Sequence, residues 1–140
     1  MRKYLRLTIF LVLAVILVGV GGCFKNQVAV TVGLGENFTI GIGKSARITG
    51  EDMVITFDEV IGDSRCPQNV TCVWAGVASM RVTIIRQNVN YSMALNESGL
   101  AEQSQADFID YTLTYSLNPY PIAGKEISSK EYRLTMTVTK

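Results

Sequence analysis

From Val28 onward the dominant pattern is an alternation of apolar and polar residues, which places successive side chains on opposite faces of an extended strand. Phe38, Ile40 and Ile42 alternate with Thr39, Gly41 and Gly43, and Met53, Ile55 and Phe57 with Val54, Thr56 and Asp58. Ala78, Met80, Val82 and Ile84 form another such row, and Tyr91, Met93 and Leu95 follow it after a tight turn predicted at Gln87-Asn88. Ile109, Tyr111, Leu113, Tyr115 and Leu117 face away from Asp110, Thr112, Thr114 and Ser116. The last run sets Tyr132, Leu134, Met136 and Val138 against Arg133, Thr135, Thr137 and Thr139. Short strands with one apolar face must bury those faces against one another. The pattern therefore predicts an all-β domain, an antiparallel β-sandwich or small barrel of about seven to eight strands. Asn96 to Ala106 is polar and without period two, so it is expected to be a connection with one helical turn at Leu100 to Gln105. Asn118-Pro119-Tyr120-Pro121 is expected to run extended, polyproline-like, to a turn near Gly124.

The first two dozen residues follow a different rule. Arg2, Lys3 and Arg6 precede an apolar stretch from Leu7 to Val20, which ends in Gly21, Gly22 and Cys23. A basic start, an apolar centre and small residues at the end make an export signal. Val20-Gly21-Gly22-Cys23 resembles the lipobox of bacterial lipoproteins, in which an aliphatic and two small residues precede a cysteine. That resemblance implies a diacylglyceryl thioether on Cys23, which becomes the mature N-terminus. The expected organisation is a lipoprotein signal peptide over residues 1–22, a lipidated tether over 23–27 and a single extracytoplasmic domain over 28–140. The alternative is a retained transmembrane anchor from Leu5 to Phe24. Either way the basic residues stay inside and the remaining chain lies on the outer face of the membrane.

Composition changes meaning once that segment is set aside. The full chain of 140 residues has a formal net charge of +1, whereas Cys23 to Lys140 carries 10 basic and 12 acidic side chains, a net charge of −2. No phosphate-tracking surface remains, so nucleic acid is not expected as a partner. The chain has no histidine. This excludes imidazole-activated serine or cysteine nucleophiles, three-histidine zinc centres and histidine pH switches. No catalytic residue, resident metal or cofactor is expected.

The densest local information is Asp63-Ser64-Arg65-Cys66-Pro67-Gln68-Asn69-Val70-Thr71-Cys72-Val73-Trp74-Ala75-Gly76. Two cysteines six positions apart in an exported chain predict a disulfide between Cys66 and Cys72. Zinc would find only half its tetrahedron here, and the spacing is far from a Cys-x-x-Cys redox pair. The string DSRCP-x-x-V-x-CVWAG resembles a family of small exported bacterial and archaeal proteins, many of which carry lipoboxes. A strand like Met53 to Phe57, a Pro-x-Pro step like Pro119 to Pro121 and a closing Tyr-x-Leu-x-Met-x-Val strand agree with it. The resemblance implies an all-β lipoprotein with Cys66 and Cys72 oxidised, and it supplies no substrate.

Function is expected at this corner. One reading is a rigid, cross-linked loop that presents Asp63, Arg65, Gln68, Asn69 and Trp74 to another envelope component, a protein or a glycan, at low entropic cost. The other is that Asp63 pairs with Arg65 or caps the turn, while Trp74 belongs to the core. Asp58, Glu59 and Asp63 suggest a calcium-binding or small-ligand sensor as a different class. A third is an inhibitor that offers the Cys66 to Cys72 loop to a protease. Asn37, Asn69, Asn90 and Asn96 each begin an Asn-x-Ser/Thr sequon, meaningful only where the host envelope is glycosylated.

Overall fold

The computed structural model describes residues 28–140, so the signal segment, Cys23 and the tether to Gln27 lie outside the described residues. Nine strands follow in chain order: β1 Val28–Val32, β2 Asn37–Gly41, β3 Ser45–Ile48, β4 Met53–Asp63, β5 Val77–Arg86, β6 Val89–Ser98, β7 Ser104–Phe108, β8 Tyr111–Asn118 and β9 Arg133–Thr139. They form a five-stranded sheet of order β1-β3-β4-β5-β6 and a four-stranded sheet of order β2-β9-β8-β7. The apolar faces read from the alternation meet between these sheets. Met53, Ile55 and Phe57 on β4 and Ala78, Met80, Val82 and Ile84 on β5 pack with Leu113, Leu117, Leu134, Met136 and Val138, all almost completely buried. The fold is the expected all-β sandwich, not a closed barrel.

Two features differ from the expected seven or eight antiparallel strands. Among the described residues there are nine strands, and β1 pairs with β3 in parallel, Val28 opposite Ser45 and Val32 opposite Ile48. A parallel pair needs a crossover. Here β2 supplies it by leaving for the other sheet, so the chain returns to the first sheet running in its original direction. The stretch expected to be a loop with a helical turn is the second difference. Asn96 to Ser98 complete β6, Ser104 begins β7, and only a short turn from Gly99 separates them. Polar composition there marks edge strands with solvent-facing sides, not a loop.

Turn chemistry fixes the hairpins. Gln87 and Asn88 both adopt positive φ, 50° and 62°, between the paired residues Arg86 and Val89, as a two-residue turn matched to strand twist requires. Ile109, expected to point inward with Tyr111, sits instead at the β7–β8 turn with φ 56° and is exposed. A β-branched residue is strained in that region. Asn118-Pro119 is a cis peptide, and the chain then turns at Gly124 between the bridged residues Ile122 and Lys125.

Candidate functional site

The cysteine motif connects β4 to β5 at one end of the sandwich. Its neck prolongs the β4–β5 ladder: Ser64 N donates to Val77 O at 2.9 Å and Cys66 N to Ala75 O at 2.8 Å. Beyond the neck, Cys66 and Cys72 are disulfide-bonded with their Cα atoms 5.9 Å apart. The segment after β8 braces the apex, since Gln68 N donates to Pro121 O at 3.1 Å and Ala123 N donates to Asn69 Oδ1 at 2.8 Å. Gly76 is required by sterics: φ is +71°, and a Cβ there would fall 1.8 Å from Ser64 O. Gly99, in the β6–β7 turn, is held to the same neck, and a Cβ on it would fall 2.0 Å from Ala75 O.

Arg65 is the keystone of this packing. Its side chain is fully buried and pairs with Asp63 at 2.7 Å and with Glu97 at 3.0 Å. The guanidinium also donates to Leu117 O at 2.7 Å and Pro119 O at 3.0 Å and lies over the Tyr120 ring. Glu97 accepts from Leu117 N at 2.5 Å, Asp63 accepts from Tyr132 Oη at 3.2 Å, and Tyr120 Oη donates to Gly99 O. One cation thus ties β4, β6 and the end of β8 together, with its donors and both carboxylates satisfied by hydrogen bonds.

The two carboxylates respond differently to this setting. Burial pushes Asp63 upward, but the hydrogen bonds and charge of Arg65 outweigh it and hold its pKa below the ordinary value. Burial also raises Glu97 and there prevails over the Leu117 amide and Arg65, partly because Asp63 lies close by. Arg65, despite burial, is held more firmly protonated by Asp63 and Glu97. With two carboxylates facing one guanidinium, Glu97 is the member whose ionisation is disfavoured.

The structure therefore divides the predicted site residues. Asp63 and Arg65 belong to the interior network and are not available to a partner. The alternative that paired them is the one the geometry shows. Gln68 and Asn69 are exposed, Asn69 with its carbonyl engaged, and Trp74 is 82% exposed, which removes the reading of Trp74 as core. Val73 beside it is 90% exposed, and Leu100 in the adjacent turn is 86% exposed. Sequence reasoning missed Val73 and Leu100 because neither belongs to an alternating run. It also missed Glu97, although the row Tyr91, Met93, Leu95 continues to that position and signals an inward acid.

The carboxylates proposed for calcium do not gather. Asp58 accepts from Thr83 Oγ1 at 2.8 Å, Glu59 pairs with Arg81 at 2.6 Å on the surface, and Asp63 is committed to Arg65. Among the described residues no group of three histidine, cysteine or acidic side chains is placed to hold a metal ion. Of the sequons, Asn37 and Asn90 are exposed on strands, whereas Asn69 and Asn96 have their side-chain oxygens engaged by Ala123 N and Ser79 Oγ.

Fold and site together define a two-sheet β domain with a disulfide-stapled, tryptophan-bearing tip. No family model matches the chain, and neither a curated protein nor a solved structure matches it.

Proposed function

We propose that this protein is a membrane-anchored extracytoplasmic lipoprotein and that it works as a non-catalytic contact module of the cell envelope, engaging its target through the Cys66–Cys72 tip. One observation carries the reading: Trp74, the sole tryptophan, stands 82% exposed on a loop held by a disulfide, a buried arginine and two obligatory glycines. A large aromatic side chain left in water on a rigid support is a preorganised anchor for binding, since little conformational freedom is lost on contact. The lipobox-like Val20 to Cys23 supports the anchored state, and the charge of the mature chain is compatible with a target other than nucleic acid.

Intact mass of the membrane-extracted protein tests the anchor, by loss of residues 1–22 and gain of a diacylglyceryl group on Cys23. A photo-crosslinker at position 73, compared with one at Leu34 on the opposite end, tests the tip in cells. Adducts specific to position 73 that disappear in Trp74→Ala support the contact role. Equal labelling from both positions refutes it.

A further inference from the structure

We infer that the surface met by the tip is the lipid bilayer that carries the anchor, so that Trp74, Val73 and Leu100 form a second membrane contact. This deepens the anchored-module reading and rests on it. Three independent features of the fold converge on the same end of the molecule.

The first is the direction from which the chain enters the sandwich. Val28 lies opposite Ser45, and Ser45 lies opposite Thr56, while Val32 lies level with Ile48 and Met53. β1 therefore runs away from the tip, and Val28 is its end nearer the tip. Between the level of Val28 and the base of the tip, β5 advances from Thr83 to Ala78, five steps or about 17 Å. The five steps from Cys23 to Val28 can span at most about 17 Å. Whatever its path, a tether of that length brings Cys23 no further toward the tip than the base of the loop. The disulfide loop and Trp74 project past it, into whatever surface holds the lipid.

The second is the chemistry of what projects. Trp74, Val73 and Leu100 are each more than four-fifths exposed, and Val70 on the same loop is 46% exposed. No acidic or basic residue lies between Cys66 and Gly76. Tryptophan with aliphatic neighbours is the composition that settles at the headgroup level of a bilayer.

The third is the distribution of charge. Residues 28–140 carry a net charge of −3. Glu36, Glu51, Asp52, Asp107 and Asp110, opposed by Arg86 and Lys140, lie at the end remote from the tip and account for all of it. At the tip end, Lys125, Lys130 and Arg133 face Glu102, Glu126, Glu131 and the single excess carboxylate of the buried network, while Lys44 lies level with Phe57, midway along β4. Lys44, Lys130 and Arg133 line one open cleft of about 330 Å³. A surface of anionic headgroups therefore repels the remote end more strongly than the tip end.

The sole tryptophan makes the test direct. The full-length protein is reconstituted into vesicles of phosphatidylcholine and phosphatidylglycerol, with and without brominated acyl chains, and flotation is measured on the same samples. The expected result is co-flotation, a blue-shifted emission, loss of about half or more of the Trp74 signal to brominated lipid, and little quenching by aqueous iodide. Val73→Asp with Leu100→Asp, both at exposed positions, is expected to restore iodide quenching while the far-ultraviolet dichroism stays unchanged. Protein that floats with the vesicles but is quenched by iodide and not by bromine overturns the inference and leaves the anchor intact. Protein that fails to float overturns the anchored reading and the inference together. Crosslinks from position 73 that capture a protein or a glycan instead of lipid also overturn it, while the contact role stands.

Discussion

Replacing Arg65 with methionine isolates the interaction that holds the tip to the sandwich. Methionine keeps most of the volume but removes the partner of both Asp63 and Glu97 and the donor to two carbonyls. Breaking a buried ion pair by deleting one member costs about 3–5 kcal/mol, because the remaining charge stays desolvated. Leu117 O and Pro119 O lose their guanidinium donor, at about 1 kcal/mol each, though these terms overlap. A domain of this size has a total stability of about 5–15 kcal/mol, so a loss of about 4 kcal/mol is a large share of it. With a urea slope of about 2 kcal/mol/M, the unfolding midpoint falls by about 2 M. The readout is far-ultraviolet circular dichroism of the full chain in mild detergent, since an exposed Trp74 changes little on unfolding. The loss is expected to shrink on acidification. Without the guanidinium, both buried carboxylates have raised pKa values, so the folded state gains from protonation at low pH and that gain is lost as pH rises. Removing all three charges, as Asp63→Asn, Arg65→Met and Glu97→Gln together, is expected to recover part of the loss. A midpoint shift below about 0.5 M for Arg65→Met alone, equivalent to about 1 kcal/mol, would refute the keystone role.

Other outcomes follow from single positions. Gly76→Ala is expected to cost more than about 3 kcal/mol or to prevent folding, because its Cβ meets Ser64 O, whereas Gly35→Ala, also at positive φ but with open space around it, should cost about 1 kcal/mol. Comparing their thermal midpoints separates steric collision from backbone preference. Ile109→Asn is expected to stabilise by about 1 kcal/mol by relieving a β-branched residue at φ 56°, and a lower midpoint would contradict the turn geometry. Asp63, with its lowered pKa, contributes stability present above its ordinary value of 3.8 and lost as pH falls through the lower folded value. Glu97 acts in the opposite sense, its contribution present below 4.5 and lost as pH rises through its raised folded value. Melting temperature should therefore hold or rise on mild acidification and fall only in stronger acid, and Glu97→Gln should abolish the rise. Reducing Cys66–Cys72 is expected to cost about 2 kcal/mol by releasing a short closed loop, measured as a lower urea midpoint with reductant.

The strands were legible because burial imposes period two wherever one face meets the core, as in Met53 to Phe57 and Leu134 to Val138. The hairpin at Gln87-Asn88 was legible because the two polar residues interrupt two alternating runs and Asn88 tolerates positive φ. Period two alone does not show whether neighbouring strands run parallel, and nothing local to Val28–Val32 marks its return beside β3 after a crossover. Edge strand β7 escaped because it is short and its inward row, Ser104, Ala106 and Phe108, holds one large apolar residue. At the tip, the Asp63–Arg65 pairing was readable from proximity, but the second acid was not, because Glu97 is 32 residues away from Arg65 and reaches it only through the register of β5 with β6. The exposure of Trp74 ran against the usual fate of a lone tryptophan beside a disulfide.

The parallel pairing of β1 with β3 has a mechanical meaning. On the proposed anchoring, tension from the tether would enter the domain at Val28, the first residue of β1. Because β1 and β3 run side by side in the same direction, that pull slides one strand along the other, and the rungs from Val28 to Val32 resist it together instead of opening one at a time. Under the proposed anchoring, the first strand of the domain would serve as a strain relief, passing a pull on the tether into the five-stranded sheet through β3.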